Sequence, residues 1–180
     1  MFIRGKSAVS IAATLALLFT LLPAFGERPT AAAEGSDDNI HWNELKHDTR
    51  DPLFRNPFGA VPAGESVRLR MQTKAGDVET VKLILWDDLK KKQSVQSMMP
   101  IGTSPDGLLE YWETTVSSDR PTVFWYHFEL QDGSRIVRYG DQPEQDGGIG
   151  EPTDGHPHDF QLTVYDRDFR TPDWFKLGIT

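Results

Sequence analysis

Four aromatic residues at strand-like positions, Trp86, Tyr111, Trp125 and Tyr139, are the side chains of this 180-residue chain best suited to hold a ligand. A flat ring exposed on a sheet stacks against the apolar side of a pyranose, while polar neighbours serve the sugar's hydroxyls. Trp86 closes a run in which Val81, Leu83 and Leu85 share one parity and Lys82, Ile84 and Trp86 the other. Its ring therefore faces away from the core. Lys82, Asp87 and Asp88 stand beside it as hydrogen-bonding groups.

Other chemistry is harder to build from these residues. The acidic pairs Asp87 with Asp88 and Asp166 with Asp168 each lie within a single turn, so neither flanks a bond from two facing elements, and no catalytic residue is assigned. Asp154, His156, His158 and Asp159 crowd into six residues, but Pro157 separates the histidines and there is no cysteine, so no zinc spacing is present and no metal ligand is assigned. Asp141, Glu144 and Asp146 are the oxygen ligands a calcium ion would find, and they lack the alternation of a calcium loop. The glycine cluster at Asp146 to Glu151 has no following lysine and no strand-to-helix setting, which excludes a phosphate loop.

The elements that must carry the aromatics read as strands. Val67, Leu69 and Met71 alternate with Arg68, Arg70 and Gln72; Val78 to Trp86 follows; Ser94 to Met99 is a short edge strand closed by Pro100. Leu108 to Val116 points Tyr111 and Trp112 to opposite faces. In Val123 to Leu130, Phe124, Tyr126, Phe128 and Leu130 take the core parity and Trp125 the other. Asp132 and Gly133 turn the chain into Arg135 to Tyr139. Phe160, Leu162 and Val164 alternate in a last strand, and Gly140 to His158 is a long loop rich in Gly, Pro and Asp. Strands at this spacing predict an all-β fold, an antiparallel sandwich.

Arg4 and Lys6 precede an uncharged apolar run, Ala8 to Leu22, and the small residues Ala31 to Ala33. This is the pattern of a signal peptide over 1–33, helical, and too short to span a membrane. A polar, mobile segment follows over 34–43. The mature chain of 147 residues keeps 16 basic and 26 acidic side chains, a net of −10, which argues against nucleic acid or anionic lipid as partners. Without cysteine, an exported chain of this size must rest on core burial alone.

Three stretches taken together, HDTRDPLFRNPFGAVP (His47 to Pro62), DGGIGE (Asp146 to Glu151) and FQLTVYDRDFRTPDWF (Phe160 to Phe175), resemble carbohydrate-binding module family 34, the amino-terminal module of secreted amylopullulanases and neopullulanases. The resemblance implies an immunoglobulin-like β-sandwich over 44–166 that binds α-glucans such as starch, pullulan or maltooligosaccharides, for which the four aromatics are the candidate stacking residues. It further implies that 167–180 is a truncated linker to an absent α-amylase-type barrel, and that Gly147, Gly148, Trp174 and Phe175 make the interdomain contact. Such a chain is expected to be extracellular, free of the membrane after cleavage, without a cofactor, and inactive as a hydrolase by itself. The alternative implied is a structural domain that stabilises the barrel or mediates dimerisation without touching sugar.

Overall fold

The structure, a computed structural model, describes residues 36–168 and 170; the segment 1–33 read as a signal peptide, Trp174 and Phe175 lie outside them. The described residues form eleven strands and one short 3-10 turn at Trp42–Glu44. The strands are β1 (Arg55–Asn56), β2 (Val61–Pro62), β3 (Ser66–Lys74), β4 (Thr80–Asp87), β5 (Lys92–Ser97), β6 (Met99–Thr103), β7 (Leu109–Ser117), β8 (Thr122–Asp132), β9 (Arg135–Gly140), β10 (Glu151–Thr153) and β11 (Phe160–Tyr165).

Two sheets share one core. The smaller has the order β1-β3-β7-β6. The larger is organised on β8, whose eleven residues pair with β4 along one edge and divide the other edge between two partners. Residues 122–126 of β8 pair with β11 and residues 128–132 with β9. Strand β5 extends the sheet beyond β4, β10 beyond β9 and β2 beyond β11. All pairings are antiparallel except the short one in which Val61 and Pro62 run parallel to Val164 and Tyr165. The architecture is the all-β sandwich that the strand pattern predicts, of the immunoglobulin-like kind that the resemblance implies.

The period of two decides which residues fill it. Val67, Leu69 and Met71 of β3 meet Val81, Leu83 and Leu85 of β4 and Phe124, Tyr126, Phe128 and Leu130 of β8 in a single buried cluster. Trp112, on the inward parity of β7, donates its indole N–H to Thr73 Oγ1 at 3.2 Å, so neither polar group is buried unpaired.

At the fork of β8, fully buried His47 sits among the rings of Phe54, Tyr126, Phe128 and Phe160, with centroids 4.7 to 6.3 Å away. Its Nδ1 lies 2.7 Å from the carbonyl oxygen of Arg70, which can only accept, so Nδ1 carries the proton. Nε2 then accepts from the Tyr126 hydroxyl at 3.1 Å. One imidazole thereby ties β3 of the small sheet to β8 of the large one.

Two expectations are corrected. Pro100 does not close an edge strand; the chain passes from β5 in the large sheet through buried Met98 into β6 in the small one. Proline is tolerated in β6 because that strand is an edge. Residues 36–41, expected to be mobile, are tied to the β8–β9 hairpin and the turn after β3. Asp37 N–H donates to Asp132 at 3.2 Å, Ser134 N–H to Asp38 at 2.6 Å and His41 N–H to Asp77 at 2.7 Å, while Ile40 is buried. The alternation that marks strands says nothing of such side-chain carboxylate contacts.

Candidate functional site

The outer face of the large sheet carries the aromatic platform. Trp86 on β4 and Trp125 on β8 are direct cross-strand partners, both on the outward parity, with Trp86 37% exposed and Trp125 half-buried. Their indole N–H groups converge on one carboxylate. Trp86 Nε1 donates to Asp88 Oδ1 at 3.0 Å and Trp125 Nε1 to Asp88 Oδ2 at 3.1 Å. Lys91 Nζ adds a third donor at 3.4 Å. These bonds, Trp125 first and Trp86 next, hold the Asp88 carboxyl below the usual carboxylate range. A side chain with two rotatable torsions and a fixed N–H has little freedom left, so both rings are oriented before any ligand arrives.

Polar groups continue the row on either side. Gln93 of β5 is the partner of Trp86, and Gln161 of β11 is the partner of Trp125. The neighbouring row places Val95 against Ile84 and Ile84 against His127. His127 Nδ1 lies 2.7 Å from Asp159 Oδ1. A wide aromatic surface edged by amides can stack on sugar rings and exchange hydrogen bonds with their hydroxyls.

The remaining sequence candidates fall elsewhere. Tyr111 is half-buried on β7, on the outward parity of the small sheet, with the Arg70 guanidinium 5.7 Å from its ring centroid. It therefore faces away from the Trp86–Trp125 surface and shares no cleft with it. Tyr139 is corrected outright, because only 1% of it is exposed. Its ring stacks on Phe160 at 6.4 Å, its hydroxyl donates to the Gly150 carbonyl at 2.8 Å, and burial pushes its pKa up to about 12. In the run Arg135 to Gly140 the adjacent apolar residues Ile136 and Val137 leave the parity open. Val137 and Tyr139 turn inward and Ile136 outward.

Asp87 is not a ligand group either. It is buried; desolvation raises its pKa, but the Thr122 hydroxyl at 2.8 Å, Lys90 and the Leu89 N–H at 2.9 Å outweigh that and leave it lowered. It pins the turn after β4. Gly147 and Gly148 adopt φ of +72° and +96°, and Gly148 is buried against the chain's own Thr49, accepting from its N–H at 2.9 Å and donating to its hydroxyl at 2.7 Å. The acidic and histidine loop is dispersed among separate partners. Asp154 pairs with Arg135, His158 with Gln145 and Asp159 with His127. Among the described residues no three His, Asp or Glu side chains gather where they could hold a metal.

A two-sheet immunoglobulin-like module with an aromatic outer face is the class that this geometry defines. The profile of the family described as "Alpha amylase, N-terminal ig-like domain" matches residues 54–156, and the chain belongs to that family. It is 51% identical over 145 residues to the amylopullulanase of Thermoanaerobacter thermohydrosulfuricus, covering 81% of this chain and 10% of that protein. The same identity and length hold for the amylopullulanase of Thermoanaerobacterium saccharolyticum, of which 11% is covered. The chain thus spans about a tenth of the length of these relatives. Among solved structures, a cyclomaltodextrinase superposes with a TM-score of 0.52 at 20% identity, covering 74% of this chain and 22% of that one, a likeness of fold.

Proposed function

We propose that this chain is an α-glucan-binding module of an exported amylopullulanase-like enzyme, and that the Trp86–Trp125 face is where starch, pullulan or their fragments bind. The observation that carries the reading is the pair of cross-strand indoles clamped on one Asp88 carboxylate on the outer face of the large sheet. Two partly exposed rings held in fixed orientation on an outer sheet face suit stacking on a sugar. The relatives' names, amylopullulanase, supply the substrate class. In a longer enzyme, tethering such a module to the barrel raises the local concentration of polysaccharide, so modest affinity suffices. Electrophoresis of the chain through a native gel containing pullulan or amylopectin is expected to retard it, and Trp86→Ala to restore most of the lost mobility. Equal mobility of both proteins at high polysaccharide contradicts the reading.

A second reading is that the module supports the barrel or a dimer partner without binding sugar. Exposed Met99 and Ile101 on the edge strand β6, with exposed Leu108 at the adjoining turn, favour it, since apolar groups clustered on a sheet edge suit docking. The two readings use different surfaces of the sandwich and are compatible.

A further inference from the structure

We propose that a cavity at the end of the tryptophan row is a second saccharide subsite, taking the next hexose of a glucan that lies across the strands; the proposal rests on the platform reading above. The cavity, about 290 Å³, lies between the loop that follows β1 and the glycine segment, and its lining includes Arg50, Phe58, Asp141, Gln145, Gln161 and Thr163. That volume is at the lower end of ligand pockets and suits a single ring rather than a longer ligand.

Continuity with the platform comes from register. Gln161 is the cross-strand partner of Trp125 and also lines the cavity. Neighbouring strands lie about 4.8 Å apart, so Trp86, Trp125 and Gln161 form one row about 10 Å long that ends at the cavity mouth. A disaccharide stacked on the two indoles stops short of it, and a longer chain continues into it.

The lining specifies the ligand's chemistry. Phe58, 62% exposed, offers an apolar ring face. Gln145 Nε2 is taken by His158 and Gln161 Nε2 donates to Thr163 Oγ1 at 3.0 Å, which leaves the two amide oxygens to accept and the Thr163 hydroxyl to donate. Arg50, 3.9 Å from the Asp146 carboxylate, shares the lining with Asp141, so an anion meets two carboxylates and a cation meets a guanidinium. An uncharged polyhydroxylated ring meets neither penalty.

Both walls are braced. Buried Arg55 donates through Nη1 to the Gln161 carbonyl and through Nη2 to the Gly59 carbonyl, each at 2.9 Å, tying β11 to the loop that carries Phe58. Buried Asp141 accepts from the Gln142 N–H at 2.9 Å and the Gly147 N–H at 3.2 Å, which fixes the opposite wall.

Calorimetric titration of the full chain with maltose and with maltotetraose tests this. The expected result is that the tetrasaccharide binds about tenfold tighter than the disaccharide. In Phe58→Ala, and independently in Thr163→Ala, that ratio collapses toward one. Phe58 is mostly exposed, so its truncation leaves the fold intact, and an unchanged thermal midpoint verifies this. Equal wild-type affinities for the two sugars, or a ratio that survives both substitutions, overturns the subsite and leaves the platform standing. Failure of the wild type to bind either sugar overturns the platform, and the subsite with it.

Discussion

Asp88 does the work of a clamp because an indole has a single donor and a carboxylate has two oxygens. One acceptor to each ring fixes the Trp86–Trp125 pair. Replacing Asp88 by Ala is expected to lower pullulan affinity about three- to tenfold by freeing both rings, with tryptophan fluorescence reporting the change in their surroundings. Since its folded pKa is lowered, the carboxylate persists through the ordinary titration range and the clamp is lost only as pH falls below it. Of the aromatic candidates, the outward orientation of Trp86 and Trp125 was legible from parity alone. That Asp88 serves both was not, because Trp125 lies 37 residues away and only the β4–β8 register brings it alongside. His47 shows the opposite case, a titratable residue whose fate is wholly internal. Desolvation lowers its pKa from 6.5 to about 3. The unfolded chain takes up a proton below pH 6.5 while the folded one does so only near 3. Stability is therefore full above 6.5 and falls by about 1.4 kcal/mol per pH unit across that window. Urea midpoints at pH 7 and pH 4.5 should differ more for the wild type than for His47→Gln; an identical difference contradicts the assignment.

At the scale of elements, the strands followed from period-two alternation, and β3, β4 and β8 begin and end within two residues of where the pattern places them. Sheet membership did not follow, because alternation tells inside from outside but not which layer a strand joins. Tyr111 was thus grouped with Trp86, although β7 and β4 lie in opposite sheets. The long loop from Gly140 to His158 also hid its order. It contains β10, and it is bonded to the segment around His47 through Thr49, Gly148 and Gly150. Gly150 is where that packing is tightest. A β-carbon there would collide with the Gly140 carbonyl oxygen and lie 2.7 Å from Tyr139 Cε1. Gly150→Ala is expected to destabilise the fold by about 1–3 kcal/mol, seen as a lowered denaturant midpoint, since an added methyl in a filled site forces its neighbours to shift. An unchanged midpoint would mean that the loop yields freely.

For the whole molecule, the pieces agree on one division of labour. The interior is apolar and held without disulfides by two sheets that share His47 as a link. The formal net charge of −8 disfavours polyanions as ligands and accords with the neutral polymer proposed above. The two broad faces differ. The outer face of the large sheet carries the paired indoles proposed to stack on sugar, and the edge of the small sheet carries exposed Met99 and Ile101. The most direct test of the central claim follows the indole N–H resonances of the folded chain by NMR as maltoheptaose is added. Those of Trp86 and Trp125 should shift together and saturate together, while that of buried Trp112 stays in place. Saturating sugar that moves neither platform resonance, or that moves other resonances while leaving these two still, would contradict the assignment of this face.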